Sequence, residues 1–155
     1  MFIRIPLILI IYSMKENFAA RRSSLAEKVL DDSAIIVGSA PVKSRISDTD
    51  YAYRQDSNFY YLSGYEEPES LLLLRPGHNT EKFVIFCRDR DPLREQWDGF
   101  RTGQDGAVSN YGADAAYSIN AIDKLLPGML DGIKNIYFSM SAPCGVDLKI
   151  KECLE

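Results

Sequence analysis

The chain has 155 residues, of which 46% are hydrophobic and 26% are charged. This profile is typical of one soluble domain with a single core. The 18 basic and 22 acidic residues give a net charge of -4, which has the wrong sign for neutralising phosphates, so we expect no nucleic-acid partner.

The N-terminus, residues 1–13, is an apolar extension that carries one charge, Arg4. It is too short to span a bilayer as a helix, so no membrane contact is expected. It resembles part of a secretory leader, but the only small-residue cleavage candidate, residues 18–20, falls inside a predicted helix. The alternative, that Met14 is the true start, is favoured and gives a domain over residues 14–155.

The first predicted elements are a helix and a buried strand. Phe18 and Leu25 recur at helical spacing between residues 14 and 30, which indicates an amphipathic helix. Residues 34–37, Ala-Ile-Ile-Val, form a continuous apolar run that is typical of a strand buried on both faces. Residues 39–64 lose all periodicity, which predicts a long loop anchored by clustered aromatic side chains.

The second half of the chain predicts a hairpin followed by alternating helices and strands. Residues 70–75 and 82–87 are apolar runs joined by a turn rich in Gly and Asn. Asp91-Pro92 predicts the start of a short helix that continues to Trp97. Further patterns predict a helix over 119–126 ended by Pro127-Gly128, a strand over 135–138 and a helix over 147–154. The fold class is therefore α/β, a mixed sheet flanked by helices.

The residue inventory provides no complete catalytic set. His78 is the one histidine and lies in the predicted hairpin turn, which argues against Ser-His-Asp or Cys-His catalysis. No phosphate-binding glycine pattern follows a predicted strand. The cysteines lack metal-type spacing and are odd in number, which favours a reducing cytoplasm; they are Cys87, Cys144 and Cys153.

Paired carboxylates are the remaining candidates for metal-assisted hydrolysis. The pairs are Asp48 with Asp50, Asp89 with Asp91, and Glu95 with Asp98. Arginines 88, 90 and 94 alternate with the later acids, which is typical of an ion-paired face. A two-metal nuclease using Asp48 and Asp50 stays as an alternative, and the negative net charge counts against it.

Two motifs carry the most specific information. The first runs Tyr53-Arg54-Gln55-x-Ser57-x-Phe59-x-Tyr61-Leu62-Ser63-Gly64-Tyr65 and continues to Glu67-Pro68-Glu69; the second is Glu95-x-Trp97-x-Gly99-x-Arg101-x-Gly103. In the first, the aromatic residues can form a core beneath the loop, and Arg54 and Gln55 can hydrogen-bond its backbone. Gly64 permits a left-handed turn, and Pro68 keeps Glu67 extended.

Both motifs, in this order, resemble those of the N-terminal domains of Xaa-Pro aminopeptidases. The resemblance spans about residues 14–155 and implies a creatinase/prolidase-type, ribonuclease H-like domain. It implies structural roles for Tyr53, Arg54, Gln55, Phe59, Tyr61, Gly64, Glu67 and Pro68. It also implies that Trp97 and Arg101 contribute to peptide binding in a neighbouring subunit.

The resemblance further implies a C-terminal pita-bread catalytic domain that this chain lacks. There, two divalent metals, commonly manganese, would supply the hydroxide that attacks the carbonyl before proline. No catalytic residue, metal ligand or cofactor is expected in this chain. The expected partners are that catalytic domain, neighbouring subunits and proline-containing peptides. The alternative is a stand-alone peptidase-like module that binds proteins without hydrolysing them.

Overall fold

A computed structural model describes residues 7–46 and 49–138. The helices are α1 (Leu7–Ala26), α2 (Ser57–Ser63), α3 (Glu95–Asp98), α4 (Gly103–Tyr111) and α5 (Ile122–Met129), with a 3-10 turn at Ile119–Ala121. The strands are β1 (Ser33–Gly38), β2 (Ser44–Ile46), β3 (Thr49–Asp50), β4 (Leu71–Leu74), β5 (Phe83–Cys87), β6 (Ala115–Ser118) and β7 (Asn135–Phe138).

The main sheet has the strand order β6-β5-β4-β1-β7. β1 and β7 are parallel, as are β5 and β6, whereas β4 is antiparallel to both of its neighbours. Four strands therefore end at the same side of the sheet, where β4 begins; we call this side the carboxyl edge. The predicted α/β class, a mixed sheet flanked by helices, is confirmed.

Successive side chains of each strand point to opposite faces of the sheet, and each face packs into its own apolar layer. Ile35, Leu72 and Ile85 face a layer that includes Phe59 of α2 and Ala107 of α4. On the opposite face, the layer includes Ile36, Leu73 and Val84 of the sheet with Ile122 and Leu126 of α5. Because helices cover both faces, the central strands are continuous apolar runs, as the sequence predicted for residues 34–37.

α1 contacts the first layer through Leu25 and Arg22. The Arg22 guanidinium donates to the Leu62 carbonyl at 2.9 Å and lies 3.8 Å from the centre of the Phe83 ring. The helix begins at Leu7 and so crosses the predicted boundary between residues 13 and 14. In the part of the chain that the structure describes, no helix has the length and apolarity that a membrane crossing requires.

The predicted hairpin is confirmed as β4 and β5, with Leu72 opposite Ile85. His78 lies in its turn, where Nδ1 accepts a hydrogen bond from the Glu81 amide at 2.9 Å. The predicted strand over residues 135–138 is confirmed as β7. The helix predicted over residues 147–154 lies outside the described residues.

The predicted long loop contains a helix, α2, that the apolar pattern does not reveal. The Asp56 side chain accepts hydrogen bonds from the amides of Asn58 and Phe59, and so caps its first turn. Gly64 ends the helix in the left-handed conformation, with φ of 69°. An Asp before the helix and a Gly after it are the local signals that would have identified α2. α4, β6 and the β2–β3 hairpin were also missed.

The prediction that Pro127 ends the preceding helix is wrong. α5 continues to Met129, and the Leu130 amide donates to the Leu126 carbonyl at 3.0 Å. Proline removes one helical hydrogen bond, but Ile122, Leu126 and Leu130 are all buried against the sheet. This packing keeps the last turn in place.

Replacing Gly64 with Ala should destabilise the domain by about 1–2 kcal/mol from the left-handed backbone alone. A Cβ at this position would also lie 2.5 Å from the Phe18 ring, so the loss should be larger. Urea unfolding followed by circular dichroism measures the free energy. Gly128→Ala is the control, because it lies in α5 with nothing near its Cβ and should stabilise the domain by up to about 1 kcal/mol. Equal stability of both variants would contradict this account of Gly64.

Candidate functional site

The two sequence motifs meet at the carboxyl edge of the sheet. The first lies in the connection from β1 to β4, and the second follows β5. In open α/β sheets, ligands bind outside the carboxyl ends of the strands. This edge is therefore the candidate functional site.

The first motif is held together by the side-chain amide of Gln55. Its Oε1 accepts hydrogen bonds from the amides of Ala40 and Asp56 at 2.9 and 2.8 Å. Its Nε2 donates to the carbonyls of Tyr65 and Glu67 at 3.2 and 3.0 Å. One side chain thus connects the segment after β1, the start of α2 and the segment before β4.

The aromatic residues of the first motif occupy different environments. Phe59 is fully buried, with its ring 6.4 Å from that of Tyr65. The Tyr53 hydroxyl is 2.9 Å from Gln55 Oε1, and burial raises the pKa of Tyr53. Tyr61 is exposed and lies beneath the Arg21 guanidinium, 4.3 Å from its ring centre. Only some of these aromatic side chains therefore contribute to the core.

Arg54 differs from what the sequence suggested. Its neighbours Tyr53 and Gln55 point into the loop, but the Arg54 side chain is exposed. It forms no hydrogen bond or ion pair with any residue in the described ranges. Gln55, and not Arg54, supplies the hydrogen bonds to the loop backbone.

Glu67 connects the first motif to the second. Its Oε1 accepts a 2.6 Å hydrogen bond from the Thr102 amide, and its Oε2 lies 3.4 Å from the Arg88 guanidinium. Ser70 Oγ donates to the carbonyls of Glu67 and Pro68 at 3.0 and 2.9 Å, which fixes the turn before β4. The segment carrying Trp97 is thereby attached to the sheet.

Two ionisable groups near Glu67, Tyr65 and Cys87, are held neutral. Burial, with Cys87 and Glu67 close by, raises the pKa of Tyr65 far above its usual range. Burial also raises the pKa of the Cys87 thiol to about 11. At neutral pH neither side chain provides a nucleophile.

In the second motif, Trp97 is exposed and Arg101 is buried. Trp97 on α3 is 88% exposed, and Phe100 is also exposed. Arg101 is only 8% exposed, and its Nη1 lies 3.4 Å from the Asp89 carbonyl. The two residues lie on the same segment but face different surroundings.

Arg90 stabilises the segment that carries Trp97. It forms a two-pronged ion pair with Glu95, with Nη2 and Oε2 2.9 Å apart, and lies 4.4 Å from the Phe100 ring centre. The hydrogen bonds from Arg90 lower the pKa of Glu95. A short helix with few buried residues is thus held by charge pairing.

Beside this segment lies a cleft of about 530 Å³ that we call the arginine cleft. It is bordered by Arg88, Arg90, Arg94 and Arg101, with Glu69, Asp89 and Asp91. It opens between the ends of β5 and β6. Glu69 has a left-handed φ of 52°, a conformation that costs a non-glycine residue about 1–2 kcal/mol.

The sequence matches the family described as "Aminopeptidase P, N-terminal domain" over residues 18–137, most of the chain. The chain belongs to this family. Xaa-Pro aminopeptidase from Escherichia coli is 34% identical over 142 residues, which are 91% of this chain and 32% of that protein. The structure of Pseudomonas aeruginosa aminopeptidase PepP superposes with a TM-score of 0.87 at 41% identity and covers 98% of this chain.

This aminopeptidase P N-terminal domain spans about a third of the length of the relatives that it matches. A zinc-substituted Escherichia coli aminopeptidase P in complex with product is also similar, with a TM-score of 0.86 at 34% identity over 90% of this chain. Aminopeptidases of this kind are metal-dependent. Within residues 7–46 and 49–138, however, no group of three His, Cys, Asp or Glu side chains is able to hold a metal. The described part of this chain therefore provides no set of ligands for such a metal.

Among the acidic pairs that the sequence identified, Asp89 and Asp91 have different hydrogen-bond partners. Asp48 lies outside the described residues, and Asp50 is exposed in the β2–β3 hairpin. Asp89 accepts from Gln104, Ser118 and Asn120, whereas the Asp91 side chain accepts from the amides of residues 93 and 94. These two carboxylates therefore organise loops.

The Gln55→Glu substitution tests how the aminopeptidase P domain holds its first motif. A carboxylate would face the Tyr65 and Glu67 carbonyls without a proton to donate, which should cost about 2–4 kcal/mol of unfolding free energy. Urea unfolding at neutral pH measures this loss. Gln96→Glu is the control, because Gln96 is exposed on α3 and should change stability by less than about 0.5 kcal/mol. Similar stabilities of both variants would show that the Gln55 amide is not the connection described here.

Proposed function

We propose that this chain is the non-catalytic N-terminal domain of a manganese-dependent Xaa-Pro aminopeptidase, which releases an N-terminal residue that precedes proline. The observation that supports this most is the coverage, since the match includes 98% of this chain and 33% of the Pseudomonas structure. In this proposal residues 14–155 form the domain and residues 1–13 an extension. A pita-bread catalytic domain would hold the two divalent metals.

The domain would act by oligomerisation and by shaping access to the active site. Trp97 supports this role, because an exposed tryptophan beside Phe100 is typical of an interface anchor. We assign Trp97 to the wall of a neighbouring subunit's peptide-binding pocket. Arg101 is buried beside Asp89 and would position this segment from below.

A reducing cytoplasm is the proposed location. The buried Cys87 carries a free thiol, as is usual for proteins of reducing compartments. The partners of the domain would be the catalytic domain, neighbouring subunits and proline-containing peptides.

The purified chain should not hydrolyse peptides. At the candidate site Asp89 accepts hydrogen bonds from Gln104, Ser118 and Asn120, and Tyr65 is held neutral, so neither is available to activate water. The measurement is the release of the N-terminal residue from an Xaa-Pro peptide with manganese present. Full-length Escherichia coli enzyme is the positive control. Turnover that co-purifies with the chain and survives removal of contaminating peptidases would overturn the proposal.

A chimeric enzyme tests whether this chain can act as the N-terminal domain of an active aminopeptidase. We expect the chain to restore Xaa-Pro hydrolysis when it replaces the N-terminal third of the Escherichia coli enzyme. In this chimera Trp97→Ala should lower kcat/KM about tenfold, equivalent to about 1.4 kcal/mol of transition-state stabilisation. Trp97 is exposed, so the variant should keep its melting temperature.

Leu30→Ala is the matched control for the chimera, because Leu30 is an exposed apolar residue at the opposite end of β1. It should leave kcat/KM unchanged. Equal effects of both variants would contradict the role of Trp97. A chimera that folds and binds metal but fails to hydrolyse the peptide would favour the stand-alone binding module.

A further inference from the structure

The segment that carries Trp97 is a loop that closes on itself. A Cβ at Gly103 would lie 2.6 Å from the Arg90 Cγ, so the backbone at residue 103 packs directly against the Arg90 side chain. Residues 90–102, which we call the Trp97 loop, therefore leave the sheet after β5 and return to meet Arg90 where α4 begins. The position of Trp97 depends on how the two ends of this loop are held.

The large apolar side chains of the Trp97 loop do not anchor it in the core. Leu93, Trp97 and Phe100 are all exposed. α3 has only four residues, and Arg94 at its start makes no capping hydrogen bond through its side chain. A helix this short is marginal on its own. The loop must therefore be held mainly by polar contacts.

The polar contacts of the loop differ in how far water screens them. The Arg90–Glu95 ion pair lies at the surface, since the Arg90 side chain is 49% exposed, and exposed ion pairs contribute little. The Glu67 side chain is only 15% exposed, and its Oε1 accepts from the Thr102 amide at 2.6 Å. Hydrogen bonds in which the acceptor is a carboxylate are stronger than neutral ones. The contact with Glu67 is therefore the firmer of the two.

Glu67 is itself fixed by residues outside the Trp97 loop. Its carbonyl accepts hydrogen bonds from Gln55 Nε2 and from Ser70 Oγ, both at 3.0 Å. Its Oε2 lies 3.4 Å from the guanidinium of Arg88, which follows β5. These partners hold the Glu67 carboxylate at a fixed point, to which the returning end of the loop is attached.

We propose that Glu67 is a positioning residue that fixes Trp97 for its contact with the peptide. It acts by accepting the Thr102 amide and does not touch the peptide itself. A side chain that is placed before binding avoids the entropy cost of being ordered during binding. Loss of this contact should therefore weaken peptide binding and leave the chemical step unchanged. The peptide role of Trp97 rests on the proposed function, whereas its placement by Glu67 does not.

The backbone conformation of Thr102 allows the contact to be removed at the amide. Its φ of -62° matches the value that proline requires, and it stands at the start of α4, where proline is tolerated. Thr102→Pro removes the N–H that Glu67 accepts, whereas Thr102→Ala keeps it. Glu67→Asp breaks the same contact from the other side, because the shorter side chain keeps its charge but withdraws the carboxylate.

Nitrogen-15 relaxation of the 155-residue chain measures the placement of Trp97 without any peptide. Thr102→Pro and Glu67→Asp should each lower the order parameter of the Trp97 amide from about 0.85 to below about 0.6. Thr102→Ala should leave it unchanged. Glu81→Asp is the matched control, because Glu81 is also a partly buried partner of an arginine, Arg75, but lies at the opposite edge of the sheet.

The chimera measures the consequence for hydrolysis. Thr102→Pro should raise KM about threefold to tenfold and change kcat by less than about twofold, because only peptide binding is weakened. In a Trp97→Ala background the same substitution should change KM by less than about twofold, because both substitutions remove one interaction. A general loss of stability would instead add to the effect of Trp97→Ala. Glu81→Asp should leave both kinetic parameters unchanged.

Two results would overturn the positioning role of Glu67. One is an unchanged order parameter of Trp97 in both Thr102→Pro and Glu67→Asp. The other is an effect of Thr102→Pro on KM that is equally large with and without the Trp97 side chain. An inactive chimera, or one that is indifferent to Trp97→Ala, would contradict the proposed function alone, and the relaxation measurement would still decide the role of Glu67.

Discussion

The side-chain amide of Gln55 joins three segments outside the main sheet, namely the segment after β1, the start of α2 and the segment before β4. It accepts from the amides of Ala40 and Asp56 and donates to the carbonyls of Tyr65 and Glu67. Backbone polar groups in an irregular segment need partners when they are shielded from water. The amide group is suited to this position because one end accepts and the other donates. The segment after β1 and the two ends of α2 are fixed to one another in this way.

Glu67 extends this arrangement to the other half of the carboxyl edge. Its carbonyl belongs to the Gln55 network, while its carboxylate contacts Arg88 and the Thr102 amide. A charge that is partly removed from water is tolerated only where donors surround it. The position of the segment carrying Trp97 therefore depends on a contact made 30 residues earlier in the chain.

At the carboxyl edge, some side chains hold the backbone in place and others are exposed to solvent. Gln55, Glu67 and Phe59 are directed inward, whereas Trp97 and Arg54 extend into solvent from a backbone that these contacts fix. Binding to a preorganised surface avoids part of the entropy cost of ordering it. In the function proposed above, this domain would contribute a shaped surface and not the hydrolytic chemistry.

The sequence by itself determined the α/β class, the hairpin of β4 and β5, the strands β1 and β7, and the family, because each depends on local pattern or on motifs. It did not determine α2, which only its flanking Asp56 and Gly64 signal, or the continuation of α5 through Pro127. It also did not distinguish the exposed Arg54 from Gln55, or the exposed Trp97 from the buried Arg101. Only the tertiary structure decided these points, because burial depends on contacts between residues far apart in the chain.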